Sequence, residues 1–181
     1  MGAKLLAVVV ALTTCFSASV AAVGQAEARM AAFLDALIGE KSTVIVFTER
    51  EAVELMNEGA RVLFEDIALV SANVRNVRFA GDIAIVNADL RVGPLALRPQ
   101  VTFTVQTAGE NVVLDIRRMR VGIVPLSVPA TLAGISARGV PEYMQIHPFA
   151  GRIVVRKRGD IRYLNDIDIS AGTLTLTVHR P

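Results

Sequence analysis

The sequence predicts an α+β fold: a long, curved antiparallel β-sheet wrapped around or packed on amphipathic helices, behind an N-terminal signal or anchor segment. Three observations predict it. From Ile67 onward apolar and polar residues alternate with a period of two, in segments near 67–79, 82–92, 95–107, 110–121, 150–157, 161–170 and 173–179. Turn sequences separate neighbours, namely Ala80-Gly81-Asp82, Thr107-Ala108-Gly109-Glu110, Arg158-Gly159-Asp160 and Ser170-Ala171-Gly172, and strands joined so tightly can only run antiparallel. Each strand has a single apolar face that needs a cover, and stretches of helical periodicity elsewhere supply one.

The chain opens with Met1-Gly2-Ala3-Lys4 and then runs uncharged from Leu5 to Gly24. A basic start, an apolar run and small residues at Ser19-Val20-Ala21 or Val20-Ala21-Ala22 fit an export signal, while 20 uncharged residues are also enough to span a bilayer as an anchor. Either reading puts the remainder outside the cytoplasm, with residues 25–181 expected to form one domain. Cys15, the sole cysteine, lies inside this leader, so no intramolecular disulfide is possible. Leu12-Thr13-Thr14-Cys15 loosely resembles a lipoprotein cleavage box, but the chain stays apolar after it, as expected of an ordinary leader residue.

Beyond the leader, residues 26–38 suit a helix, with Met30, Phe33, Leu34, Leu37 and Ile38 on one side and Gly39 ending it. Thr43-Val44-Ile45-Val46-Phe47 is short and β-branched, hence a strand. Thr48-Glu49-Arg50-Glu51 reads as a capping box, and the helix it starts buries a stripe at 52, 53, 56 and 60. The strand pattern then holds until Arg117-Arg118-Met119-Arg120, where it gives way to Val121-Gly122-Ile123-Val124-Pro125-Leu126-Ser127-Val128-Pro129. There a strand is expected to leave the sheet and lay a short helix across it, with Val128, Leu132 and Ile135 at i, i+4 and i+7, Pro129 in the first turn and Gly139 as the stop. Ile116 and Val121 sit at opposite parities, so strand 110–121 must bulge or twist near Arg117–Met119 for both to be buried.

Catalytic chemistry finds little to work with. His147 precedes Pro148 in a loop and His179 shares a strand face with threonines, and neither has a supporting constellation. Two histidines and a leader cysteine do not compose a zinc site. Asp166 and Asp168 share a strand face opposite Ile167 and Ile169, the pattern of a solvated face, and the glycines sit singly in turns rather than in a phosphate cradle. No cofactor is expected. Net charge is +2, yet residues 24–110 carry 8 basic and 12 acidic side chains against 10 and 5 in 111–181. Arg117, Arg118, Arg120, Arg152, Arg156, Lys157 and Arg158 make up most of that basic half. With aromatics scarce and an export-type leader, anionic lipid headgroups suit them better than nucleic acid. Alternation puts Arg118, Arg120, Arg152 and Arg156 in an outer solvated cluster for anionic headgroups, with Arg117 and Lys157 on the opposite face.

Three stretches resemble a family. Thr43-Val44-Ile45-Val46-Phe47-Thr48-Glu49-Arg50-Glu51-Ala52-Val53-Glu54-Leu55 looks like a strand followed by a "T-E-x-E-L-N" helix. Val121-Gly122-Ile123-Val124-Pro125-Leu126-Ser127-Val128-Pro129 is similar to a "G-x-x-P-L-P-x-P" crossover, and Ile167-Asp168-Ile169-Ser170-Ala171-Gly172-Thr173-Leu174-Thr175-Leu176 to an "I-x-I-x-x-G-x-L-x-L" closing hairpin. In this order, over residues 43–178, they resemble the LmeA-like and YpmS-like bacterial envelope proteins, relatives of the tubular lipid-binding (TULIP-like) superfamily. The resemblance implies a curved sheet about a helix with an apolar groove for acyl chains. The expectation is therefore a non-enzymatic, extracytoplasmic lipid-binding protein, periplasmic or on the outer face of the cytoplasmic membrane, whose partners are phospholipid or another amphipathic lipid and the membrane surface. Val101, Phe103, Val105, Leu114, Ile116, Leu132, Ile135, Leu174 and Leu176 would line the groove, or equally serve as plain core. The alternative is an envelope assembly module with a packed core that acts through protein contacts.

Overall fold

A computed structural model describes residues 31, 32, 35, 42–64, 70–137, 140–157 and 162–179, without the side chains of 59, 62–64 and 70. The expected leader, Cys15, the turn at 158–160 and the stop at Gly139 lie outside the described residues. So does most of the helix expected over 26–38, of which Ala31, Ala32 and Asp35 are described and helical.

Among the described residues the fold is mostly antiparallel sheet, with two helices of defined extent besides the helical Ala31, Ala32 and Asp35, an α+β arrangement. β1 (Thr43–Thr48) leads into α1 (Glu49–Phe64), and the long strands β2 (Val70–Ala80) and β3 (Ile83–Val92) follow. Next come β4 (Leu95–Leu97), β5 (Pro99–Ala108), β6 (Asn111–Val121), β7 (Val124–Leu126) and α2 (Val128–Ser136). A short strand β8 (Met144–His147), a 3-10 turn (Pro148–Ala150), β9 (Arg152–Arg156), β10 (Leu164–Ser170) and β11 (Thr173–Val178) complete the chain. The strands fall into two sheets rather than one. The larger runs β2-β3-β5-β6-β9-β8, with β4 beside β3 and β7 beside β6; the smaller runs β1-β11-β10. The division falls between β9 and β10, which the tight turn expected at 158–160 would pair but which belong to different sheets. β9 pairs with β6 and β8, β10 with β11, and β11 takes β1, a partner that periodicity cannot name.

The segment expected as one strand over 95–107 is two, interrupted at Arg98-Pro99. Leu90↔Leu97 and Val86↔Val101 belong to one register, so the chain does not change course. Pro99 simply has no N–H to give the ladder. At the start of α1 the capping box is in place. The Thr48 N–H and hydroxyl both donate to Glu51 Oε2 at 2.8 Å, and the Glu51 N–H donates to Thr48 Oγ1 at 3.3 Å. Ala52, Met56 and Ala60 are buried and Val53 half-buried, as the stripe requires. α2 buries Leu132 and Ile135 with Val128 half-buried. Ser127 is its N-cap, accepting from the Ala130 N–H, and the helix ends at Ala137 in ordinary right-handed conformation, so no left-handed glycine stops it there.

α1 also closes an edge. Among the described residues β2 has a ladder partner on its β3 side alone, and an open edge of this length invites pairing with another chain. Here α1 side chains stand in for a strand: Glu49 Oε1 accepts from the Phe79 N–H at 2.7 Å, and Asn57 bonds Val74 twice, to its C=O at 2.9 Å and from its N–H at 2.5 Å. The smaller sheet lies over β5 and β2, and its fastenings to the larger one include Gly172 N–H to Phe79 O, Thr107 Oγ1 to Asn165 O and Lys157 Nζ to Leu164 O, at 3.1, 2.7 and 2.6 Å.

Gly151 joins the 3-10 turn to β9 at φ +65, and its carbonyl accepts from the Ile116 N–H at 2.7 Å. A Cβ there would lie 3.0 Å from Ile116 O, on a backbone that L-residues rarely adopt. Gly134, by contrast, is exposed inside α2, and a methyl group added to it would have nothing within 4 Å. Gly151→Ala is therefore expected to destabilise by about 1–3 kcal/mol, and Gly134→Ala to stabilise by about 0.5–1 kcal/mol. Urea unfolding midpoints of the two variants, measured side by side, check both signs.

Candidate functional site

The nine residues expected to line a groove are brought together. Val101, Phe103, Leu114, Ile116, Leu132, Ile135 and Leu176 are all buried in one continuous hydrophobic cluster, and Val105 and Leu174 lie half-buried against it. Phe47, Met56, Phe79, Met119 and Leu164 belong to the same cluster, so both sheets and both helices contribute. The nine therefore belong to the buried interior, and burial alone is common to a core residue and to a groove wall.

On the outer side, the bulge expected near Arg117–Met119 is present. Ile116 pairs with Phe103 but Arg118 with Thr102, so Arg117 has no partner across β5. The bulge lets Ile116 and Met119 both be buried while Arg117 and Arg118 are both exposed. Arg117 is thus not on the face opposite Arg118 as expected, because the extra residue resets the alternation. β2 carries the same device: Val74 pairs with Ala88 and Asn76 with Asn87, leaving Arg75 unpaired, with Val74 and Val77 buried around the exposed Arg75 and Asn76.

Arg118, Arg120, Arg152 and Arg156 are all exposed, but they do not act as one cluster. Arg152 grips Asp115 through Nε at 2.6 Å and Nη2 at 3.2 Å, which raises its pKa above the ordinary arginine value, and Arg156 faces Glu110 at 3.5 Å. Their charge is largely answered. Lys157 is on the other side, as expected; its Nζ donates to Leu164 O, and burial lowers its pKa. Arg158 lies outside the described residues. The cationic surface lies instead toward the other end of β6.

Across the strands, the outward-facing positions Arg78, Ile85, Thr102 and Arg118 form one row, and Asn76, Asn87, Gln100 and Arg120 the next. The second row is tied by amide bonds, Asn87 Nδ2 to Asn76 Oδ1 and Gln100 Nε2 to Asn87 Oδ1, each 2.6 Å. Beyond it Asp89 sits between Arg75 and Arg98 at 3.6 and 3.7 Å, and Arg91 follows. Seven arginines (75, 78, 91, 98, 117, 118 and 120) thus stand on this outer face, with Asp89 among them and Asp115, held by Arg152, in the next row. Sequence reasoning missed four of them, since the first half of the chain is acidic on average. Four of its acids, however, stand on α1 at Glu49, Glu51, Glu54 and Glu58, where Arg50 and Arg61 answer the last two, while Arg75, Arg78, Arg91 and Arg98 stand on the sheet. The signal that could have found them is the spacing in Val74-Arg75-Asn76-Val77, two polar residues between two apolar ones, as in Ile116-Arg117-Arg118-Met119.

The remaining candidates are dispersed. His147 is not in a loop as expected but ends β8, paired with Arg152 just before Pro148 stops the strand; it and His179 are exposed, the latter with Ser42 Oγ 3.1 Å from its Nδ1. Asp166 and Asp168 are exposed opposite the buried Ile167 and Ile169. Among the described residues no three His, Cys, Asp or Glu side chains are grouped to hold a metal, and no helix is long and apolar enough to cross a membrane. No family model, curated protein or solved structure matches the chain.

The bulge sets how β6 tolerates a change of length. Removing Arg117 would let Arg118 pair with Thr102 in the same register as Ile116 with Phe103, restoring a regular ladder with Ile116 and Met119 still inward. Deletion of Arg117 is expected to cost less than about 2 kcal/mol, whereas deletion of Val113, in the regular part of β6, reverses the facing of neighbouring residues and is expected to unfold the domain. Circular dichroism melting of both deletions checks this.

Proposed function

We propose that this chain is a non-enzymatic, extracytoplasmic lipid-binding domain that engages phospholipid at the surface of a bacterial envelope membrane. The observation that carries the reading is the adjacency created at Arg117. Within four residues β6 places Ile116 and Met119 in the aliphatic interior and Arg117 and Arg118 on an outer face poor in carboxylates. An amphipathic lipid needs both environments, cations for the headgroup and aliphatic surface for the chains; here they lie on opposite faces of one strand, so a single lipid would join them around a sheet edge. In this proposal Arg118 and Arg120 meet the headgroup, Arg152 and Arg156 contribute less because Asp115 and Glu110 neutralise them, and the interior cluster receives acyl chain. The resemblance to LmeA-like and YpmS-like proteins points the same way.

A second reading has its own observation. Seven of the nine interior residues are buried by side chains of this chain, which suits an envelope module with a packed core that works through protein contacts. The two differ in what the interior holds. Residues 25–181, expressed in bacteria and purified without detergent, are expected to carry phospholipid in organic extracts analysed by mass spectrometry; an empty extract together with no uptake of fluorescent lipid favours the packed module. Phe103→Ala gives an independent measure. In a dry packed core it costs about 3–5 kcal/mol, while in a domain that holds lipid the loss is smaller and the bound lipid changes.

A further inference from the structure

Four two-residue turns at the two ends of the larger sheet each open on a glycine of positive φ but do not share one chemistry. Gly81, Gly93, Gly109 and Gly122 have φ between +59 and +63, and each occupies the first turn position. The residue that follows is Asp82 in the β2–β3 turn and Glu110 in the β5–β6 turn, but Pro94 in the β3–β4 turn and Ile123 in the β6–β7 turn. Backbone geometry does not demand the difference. Turns favour small polar residues, and a β-branched isoleucine is a poor choice there. Ile123 is nonetheless 95% exposed, and the residues just past the two apolar turns, Val124 and Leu95, are 58% and 46% exposed.

These two turns lie at the same end of the sheet. Pro99 pairs with Val121, and the Gly122 N–H donates to Arg98 O at 3.0 Å, so the hairpins are side by side. It is also the end at which Arg91, Arg98 and Arg120 face outward. Phe149, 97% exposed, rides on the 3-10 turn whose next residue but one, Gly151, is bonded to Ile116 beside the Arg117 bulge. The opposite end has Asp82 and Glu110 at its turn tips. One end of the molecule therefore presents apolar tips backed by several arginines that have Asp89 alone, beside Arg98, among them, and the other presents Asp82 and Glu110 at its turns, the latter beside Arg156.

We propose that the β3–β4 and β6–β7 hairpin tips form a membrane-docking end, with Ile123, Val124 and Leu95 entering the acyl boundary of an anionic bilayer while Arg118 and Arg120 hold the headgroup layer. Charge complementarity selects the occupant. Guanidinium groups without carboxylates meet lipid phosphates, and apolar tips ahead of them gain only from a surface that has a hydrocarbon layer behind its anions. A soluble polyanion would satisfy the arginines and leave the tips in water. The inference rests on the membrane-surface partner of the proposed function but not on acyl-chain uptake by the interior.

The chain has no tryptophan, so a single introduced one reports on its own position whatever the leader does. In full-length Ile123→Trp, emission is expected to shift to the blue and to be quenched by brominated phosphatidylcholine in vesicles that also contain phosphatidylglycerol. Full-length Asp82→Trp, at the opposite tips, is expected to remain unshifted and unquenched. Adding Arg118→Gln and Arg120→Gln to the Ile123→Trp chain should raise the vesicle concentration for half-maximal quenching about 25-fold, from roughly fivefold per cation, and added salt should do likewise. A silent reporter at 123, equal quenching at 82, or indifference to the two arginine changes overturns the proposal. So does binding of heparin with the 123 reporter silent on vesicles, which would make the face a polyanion site. Docking by a protein whose extract is empty of lipid leaves this end in place and removes the acyl-chain reading; a loaded extract with a silent reporter does the reverse.

Discussion

Much of this structure depends on one constraint: a strand offers each side chain only two directions, and the interior accepts aliphatic groups almost exclusively. The chain holds no tryptophan and aromatics make up 5% of it, so the core is assembled from Val, Ile, Leu, Ala and Met with a few phenylalanines. At Ile116-Arg117-Arg118-Met119 strict alternation would either bury a guanidinium or expose Met119. An unpaired buried charge costs several kcal/mol, exposing a methionine about 1.5–3, and a bulge that avoids both is the least costly arrangement. The same choice is made at Val74-Arg75-Asn76-Val77. In each case the expelled extra residue is an arginine, so keeping the interior aliphatic also charges the exterior.

That charge persists because the acids are placed elsewhere. Glu51 closes the capping box, Glu49 holds the edge of β2 at Phe79, and Glu54 and Glu58 pair with Arg50 and Arg61 along α1. The helix that shields the open edge from other strands thus also draws carboxylates away from the outer sheet face. Glu58 shows the local effect, its pKa lowered chiefly by the hydrogen bond from Arg61. Edge protection and electrostatic polarity are two results of one placement.

The long strands, the turns at Gly81, Gly109 and Gly172, the capping box, the α2 face and the position of the β6 bulge were legible in the sequence, because each is a local matter of period, φ or hydrogen-bond reach. By contrast β4, β7 and β8, at three or four residues, are too short to show a period, and the hairpins at Gly93 and Gly122 went unread. What was not legible is who lies beside whom. Periodicity states which way Leu174 faces, not that it pairs with Phe47 across most of the chain, so two sheets look like one in the sequence. It places Arg75 and Arg118 on strand faces without revealing that two intervening strands bring those faces to the same end. Composition averaged over halves conceals Arg75, Arg78, Arg91 and Arg98 behind the acids of α1. The interior residues stand out as a set, but a groove wall and a core residue obey the same alternation, and no pattern in the chain separates them.

The topology nevertheless limits where an acyl chain would enter. Within either sheet, parting two strands breaks a ladder along its length, and each backbone hydrogen bond left unmade in an apolar space costs about 1–3 kcal/mol. Between the sheets no ladder exists. β10 lies over β5 through side chains, with fastenings such as Thr107 to Asn165, Lys157 to Leu164 and Gly172 to Phe79 placed at its ends. Apolar packing given up along that seam can be replaced, group for group, by methylenes of a lipid chain, whereas ladder bonds cannot. The seam between β5 and β10, lined by Phe103 and Val105 on one side and by Ile167 and Ile169 on the other, is therefore where opening costs least. On the proposed reading a lipid admitted there would substitute its methylenes for side-chain contacts across the seam, whereas on the packed-module reading the same side chains stay in contact.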